Sequence, residues 1–148
     1  MIFALIMAVA NAEAPAPQTC LGQLGRVLSV ATFSGSLDCA HDKLSAVLKR
    51  RVRAGAHRFD VYDYRYQLAP VCAGCAPRGG QRVIFLRDGK YFGQYTPYSV
   101  EVRVAGGEMR LTPIPDSGGA MQPVTVRFRP SGPPKAILVN GEALELFQ

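Results

Sequence analysis

The sequence predicts an α+β fold: one or two N-terminal helices, then an antiparallel meander of about seven to eight strands. Three observations carry this. Apolar residues recur at helical spacing before Gly55. The apolar period changes to two after it. Asp88-Gly89, Gly106-Gly107 and Asn140-Gly141 then punctuate the remainder as hairpin turns. The strands are expected to form an open curled sheet or a partly closed barrel.

The chain opens on Ile2-Phe3-Ala4-Leu5-Ile6-Met7-Ala8-Val9-Ala10, an unbroken apolar run, followed by Asn11 and Ala12. A short apolar core ending in small residues has the form of a secretory signal peptide. Cleavage is expected after Ala12, which makes 1–12 the signal and 13–19 a flexible Pro/Ala-rich lead-in. The run is too short to span a bilayer, which takes roughly 20 apolar residues. No later stretch is long and apolar enough, so no transmembrane segment is expected. Residues 20–148 then make a single domain, near the common size of about 100–150 residues.

Leu24, Val27, Leu28 and Ala31 fit one face of a helix within Leu21 to Phe33, although Val27 to Phe33 also fits a strand. Ser34-Gly35-Ser36 breaks that element. A second helix is expected from a cap at Ser36 or Asp38. Leu37, Ala40, Leu44, Val47 and Leu48 share its apolar face, Lys49, Arg50, Arg51 and Arg53 complement the dipole of its last turn, and Gly55 ends it.

The period-two segment begins with His57 to Leu68. Its apolar phase shifts near Val61 and Tyr62, which predicts a bulge or bend there. A Pro/Gly-rich loop follows over 69–81. The three hairpins pair Arg82–Arg87 with Lys90–Thr96, Ser99–Ala105 with Glu108–Ile114, and Ala136–Val139 with Glu142–Phe147. Pro123–Arg129 is a lone strand between the last two. Register across Gly106-Gly107 sets Val104 opposite Met109 and Val102 opposite Leu111, on one face. Across Asp88-Gly89 it sets Leu86 by Tyr91 and Phe85 by Phe92, one pair on each face. That hairpin should therefore be covered on both sides, by a helix and by a curled-over part of the sheet.

Hydrophobic residues make up 48% of the 148-residue chain and charged residues 19%, enough to bury a core. The net charge of +6 favours anionic partners such as a wall polymer or an anionic lipid, and an envelope protein is the third candidate. Nucleic acid is not favoured. In an oxidising compartment the four cysteines, Cys20, Cys39, Cys72 and Cys75, read as two disulfides. The most local pairing is Cys20–Cys39 with Cys72–Cys75. No helical pattern follows Cys72-Ala73-Gly74-Cys75, which argues against a thioredoxin-like site. The chain has no phosphate-binding loop, dinucleotide fingerprint, serine-hydrolase elbow or zinc-protease motif, and neither a metal site nor a cofactor is expected.

Two regions are candidate sites. All six tyrosines lie between Tyr62 and Tyr98. Tyr62, Tyr64 and Tyr66 share one strand face, and with Arg65, Arg78, Arg82 and Tyr95 they form a candidate stacking and binding region beside the 69–81 loop. Arg103 opposite Arg110, with Arg127 and Arg129 on the next strand, is a candidate anion face. Asp60 and Asp63 should point to opposite sides of their strand as solvated charges.

The expected function is a disulfide-stapled, non-enzymatic binding module of the cell envelope, exported to the periplasm or secreted. The alternatives are thiol–disulfide exchange through Cys72 and Cys75, a hydrolase using Cys39 and His57, or a structural component that assembles through its sheet edges.

Overall fold

The computed structural model describes residues 20–116 and 121–148. The expected signal peptide, 1–12, and lead-in, 13–19, lie outside the described residues. Within them the chain is mostly β, with 52% strand against 6% helix, which corrects the α+β expectation. Among the described residues there is one helix, α1 (Gly22–Ser29). The strands are β1 (Lys43–Ala54), β2 (His57–Gln67), β3 (Gly79–Arg87), β4 (Lys90–Tyr95), β5 (Val100–Ala105), β6 (Glu108–Pro113), β7 (Val124–Arg127), β8 (Ala136–Val139) and β9 (Glu142–Glu145). They do not run as one meander. They divide into a four-stranded sheet β1-β2-β3-β4, a three-stranded sheet β5-β6-β7 and the hairpin β8-β9, with every pair antiparallel.

The main correction is the second helix, which is strand β1. The capping signal at Asp38 is real but closes only a turn. Its Oδ1 accepts from the backbone N–H groups of Ala40 and His41 at 3.0 and 3.2 Å. The Asp42 carboxylate then ties the loop across the sheet end, accepting from Ser36 Oγ and, at 2.8 Å, from the Ala69 N–H. From Leu44 the side chains that turn towards the tyrosine face fall on even numbers, and the odd-numbered Val47 is exposed. Leu44, Ala46 and Leu48 stand opposite Tyr66, Tyr64 and Tyr62. The register shifts between Leu48 and Arg50, after which Val52 stands opposite Phe59. The bulge expected on β2 lies instead on β1, opposite Val61 and Tyr62. Strand β2 runs in unbroken register with β3. Its apolar phase changes because Phe59 and Val61 face one core while Tyr62, Tyr64 and Tyr66 face the other. The bulge turns the even positions of β1 from one core to the other, so a period of two looks like helical spacing.

The turn-based hairpins form. Val104 faces Met109, Val102 faces Leu111 and Arg103 faces Arg110. Leu86 faces Tyr91 as expected, but Phe85 faces Gly93 because a second irregularity leaves Phe92 unpaired. Gly93 is needed there: a Cβ at this position would stand 2.7 Å from the carbonyl oxygen of Phe147. Phe147 exchanges both backbone hydrogen bonds with Gln94 at 2.9 Å, so the chain's last residues cover the edge of β4.

The four-stranded sheet is covered on both faces. On one, Leu24 and Leu28 of α1 pack with Tyr64, Ile84 and Leu86, aided by Phe33 and Leu37. On the other, Phe59, Val61, Val83 and Phe85 meet Val100, Val102, Met109, Leu111 and Val126 of the second sheet. A disulfide joins Cys20 to Cys39 and holds the approach to α1 against the 34–42 loop, and a second joins Cys72 to Cys75. No helix among the described residues is long and apolar enough to cross a membrane.

Candidate functional site

Strand alternation puts Tyr62, Tyr64 and Tyr66 on one face of β2, and the structure roofs that face with α1 and the 30–42 segment. Tyr64 is fully buried, its hydroxyl donating to the Ser36 carbonyl and its ring edge-on to Phe33 at 5.4 Å. Burial pushes its phenol up to about 12. Tyr62 and Tyr66 are half-buried at the rim, and burial raises the Tyr62 phenol. Tyr95 belongs to the opposite core and donates to the Pro134 carbonyl. Arg78 is exposed on the loop between β2 and β3.

Of that candidate group, Arg65, Tyr66 and Arg82 line one open groove of about 780 Å³ at the end of the four-stranded sheet. Both arginines are held in place by bonds within the fold, and each keeps N–H groups to spare. Arg82 donates from Nε to the Ser34 carbonyl at 2.9 Å, from Nη1 to the Gln81 carbonyl at 2.9 Å, and from Nη2 to the Tyr66 hydroxyl at 3.2 Å. Its guanidinium also lies 5.2 Å from the centre of the Tyr66 ring. Arg65 donates to the Val100 carbonyl at 2.8 Å and pairs with the Asp63 carboxylate at 3.4 Å. Tyr66 in turn lies across Gly80, where a Cβ would stand 2.6 Å from its hydroxyl.

The facing wall is the β4–β5 connection. Pro97 is buried, and the chain bends at Tyr98 and Ser99 directly after it. Its far end is locked by the buried Gln81 side chain, which accepts from the Val100 N–H at 2.8 Å and donates to the Val100 carbonyl at 2.9 Å. Ser99 accepts from the Ile114 N–H at 3.0 Å. On this fixed segment Tyr98 stands out at 80% exposure.

Pro97, Tyr98 and Ser99, with Asp116 and Glu142, also border a second hollow of about 240 Å³. Its remaining walls are mostly apolar, among them Pro113, Ile114, Pro115, Val139 and Leu144. The two spaces form one cleft with Tyr98 between them. Tyr98 lies between hairpins, outside any alternating pattern, so the sequence does not single it out from the other tyrosines. The one signal was a tyrosine directly after a proline in a connection.

The arginine face is only partly assembled. Arg103 pairs with Glu101 and Arg127 with Glu108, each at 2.8 Å. Arg110 faces Arg103 and has no carboxylate partner among the described residues. Arg129 lies beyond β7, in a turn closed on Gly132, and lines a separate hollow with Phe92 and Lys135.

Asp60, Asp63 and His57 serve the fold. Asp60 and Asp63 do lie on opposite faces, but they are not solvated. Asp60 is 5% exposed, with Arg58 and Arg51 at 3.3 and 3.5 Å. Asp63 accepts from Gln81 Nε2 at 2.8 Å. His57 lies 2.6 Å from Asp88, whose carboxyl is held low chiefly by the Arg58 N–H and then by His57. Cys39 is bonded to Cys20, so its thiol is not available as a nucleophile.

The chain matches no protein-family model, and comparisons with curated proteins and with solved structures also give no match.

Proposed function

We propose that this chain is an exported, non-enzymatic binding module of the cell envelope that recognises a protein through the Tyr98 cleft. The observation that carries the reading is Tyr98, 80% exposed between an apolar hollow and a polar groove. Tyrosine is among the residues that most often anchor protein interfaces, and a tyrosine standing between two hollows can be gripped from both sides. Export is supported by the apolar run Ile2–Ala10 ending at Asn11 and Ala12, and by two disulfides of the kind an oxidising compartment maintains.

A photo-crosslinking residue at position 98 of the full-length chain, in cells that export it, tests this. The comparison position is 103, on the arginine face. A discrete adduct from 98 alone is the expected result, on a chain whose mass shows cleavage after Ala12. The absence of any adduct from 98, or equal adducts from both positions, sinks the reading. An adduct from 103 alone moves the site to the arginine face. Arg110, without a carboxylate partner among the described residues, then becomes the residue to pursue for a wall polymer or an anionic lipid.

A further inference from the structure

Resting on the binding reading above, we infer that the Tyr98 cleft takes a cationic, extended peptide segment of its protein partner. The sequence points the other way, since a net charge of +6 and nearby arginines suggest an anionic ligand. The hydrogen bonds reverse that. An arginine recognises an anion by its planar fork of N–H donors. Three of the five N–H groups of Arg82 donate to Ser34, Gln81 and Tyr66, which fixes its plane against the fold and leaves one N–H on each Nη. Arg65 is neutralised by Asp63 and tied to Val100.

The charged side chains of the cleft that no internal bond holds are the carboxylates of Asp116 and Glu142. Both border both lobes of the cleft, and neither has a hydrogen-bond or ion-pair partner among the described residues. Tyr98 stands with them. A cation on a tyrosine face, close to carboxylates, combines ring-quadrupole attraction with charge pairing. The global positive charge does not override this, because exposed charges are screened beyond about 8 Å at physiological ionic strength.

The hollow beside these groups identifies the ligand as a peptide. Pro113, Ile114, Pro115, Val139 and Leu144 wall a space suited to an aliphatic or proline side chain. A lysine or arginine a residue or two along the same extended chain would then reach Tyr98, Asp116 and Glu142. Apolar and cationic groups alternating at that spacing are what a peptide supplies, and a compact amine does not.

The test is selection from a random decapeptide library displayed on phage against the mature wild-type chain, with Tyr98→Ala as the counter-screen. Tyr98-dependent binders should be enriched in lysine or arginine beside proline or aliphatic residues. For a selected synthetic peptide, Asp116→Asn with Glu142→Gln should weaken binding at least tenfold and flatten its salt dependence, while the thermal midpoint of the protein stays unchanged. Tyr98-dependent binders that are acidic or uncharged, or cationic binders indifferent to the double substitution, overturn the charge inference and leave the cleft standing. Failure to obtain any Tyr98-dependent binder overturns the cleft reading and this inference with it.

Discussion

Tyr64 and Tyr98 are the same residue in opposite circumstances. Tyr64 lies on the β2 face that the sequence offers as a stacking surface, and it is 0% exposed under Phe33, Leu24 and Leu28. Tyr98 lies in a connection that the sequence leaves undistinguished, and it is 80% exposed. What separates them is the covering layer. The 30–42 segment and α1 close one tyrosine face, while the β4–β5 connection turns a lone tyrosine outward. The largest expected effect probes this contrast. Tyr64→Ala should cost about 3–5 kcal/mol of stability, as truncation of a buried aromatic does. Tyr98→Ala should stay within about 0.5 kcal/mol of wild type, as exposed substitutions do. Urea unfolding measures both. Similar losses at the two positions would mean that Tyr98 is a packing residue and that the contrast is false.

The disulfides divide along the same line. Cys20–Cys39 closes a separation of 19 residues and fastens the layer that roofs Tyr64. Cys72–Cys75 closes a separation of 3 within the loop that leads into Gly79 and Gly80 at the groove. Loop-closure entropy then assigns about 3 kcal/mol to the first and about 2 kcal/mol to the second. The double serine variant at Cys20 and Cys39 should therefore show the lower urea midpoint and release the tyrosine roof. The variant at Cys72 and Cys75 should keep that roof intact. Equal midpoints, with tyrosine burial unchanged in both, would show that the roof holds without its staple and that helix packing alone covers Tyr64.

These regions also show what the sequence could reveal. The hairpins at Asp88-Gly89 and Gly106-Gly107 were legible because turn chemistry and alternation agree there. So was the two-sided cover of β3, since Phe85 and Leu86 are adjacent and both apolar. Strand β1 was not legible. Lys49 to Arg51 hides its alternation, and the bulge moves Val52 to the opposite core from Leu44 and Ala46. Asp38 added a true capping bond that leads only into a turn. At the candidate site, proximity in sequence nominated Arg65, Tyr66 and Arg82, and the structure brings these onto one groove. The sequence could not show that the guanidinium groups are engaged internally. That depends on the Ser34 and Val100 carbonyls, which arrive from distant segments. Asp116 and Glu142 flank the cleft only because β8-β9 and the end of β6 come to the β4–β5 connection, a meeting of segments that no local pattern encodes.

The smallest effect concerns protons on the covered face. Burial pushes the phenols of Tyr64 and Tyr91 up to about 12, and that of Tyr95 higher. In an unfolded chain a tyrosine ionises near about 10. The fold therefore favours the neutral phenol. This contribution is complete below about pH 10 and is lost as pH rises through about 12, because only the unfolded chain releases the proton readily in that window. Tyrosinate absorbance followed together with near-ultraviolet circular dichroism should show the late-ionising phenols appearing as tertiary structure is lost. Tyr64→Phe should remove one phenol from that late step. It leaves the ring in place against Phe33, so it separates the proton's contribution from the packing that Tyr64→Ala removes. If every tyrosine ionised near pH 10 with the fold intact, water would have to reach the hydroxyl that donates to Ser36. The roofed face would then be as open as the cleft.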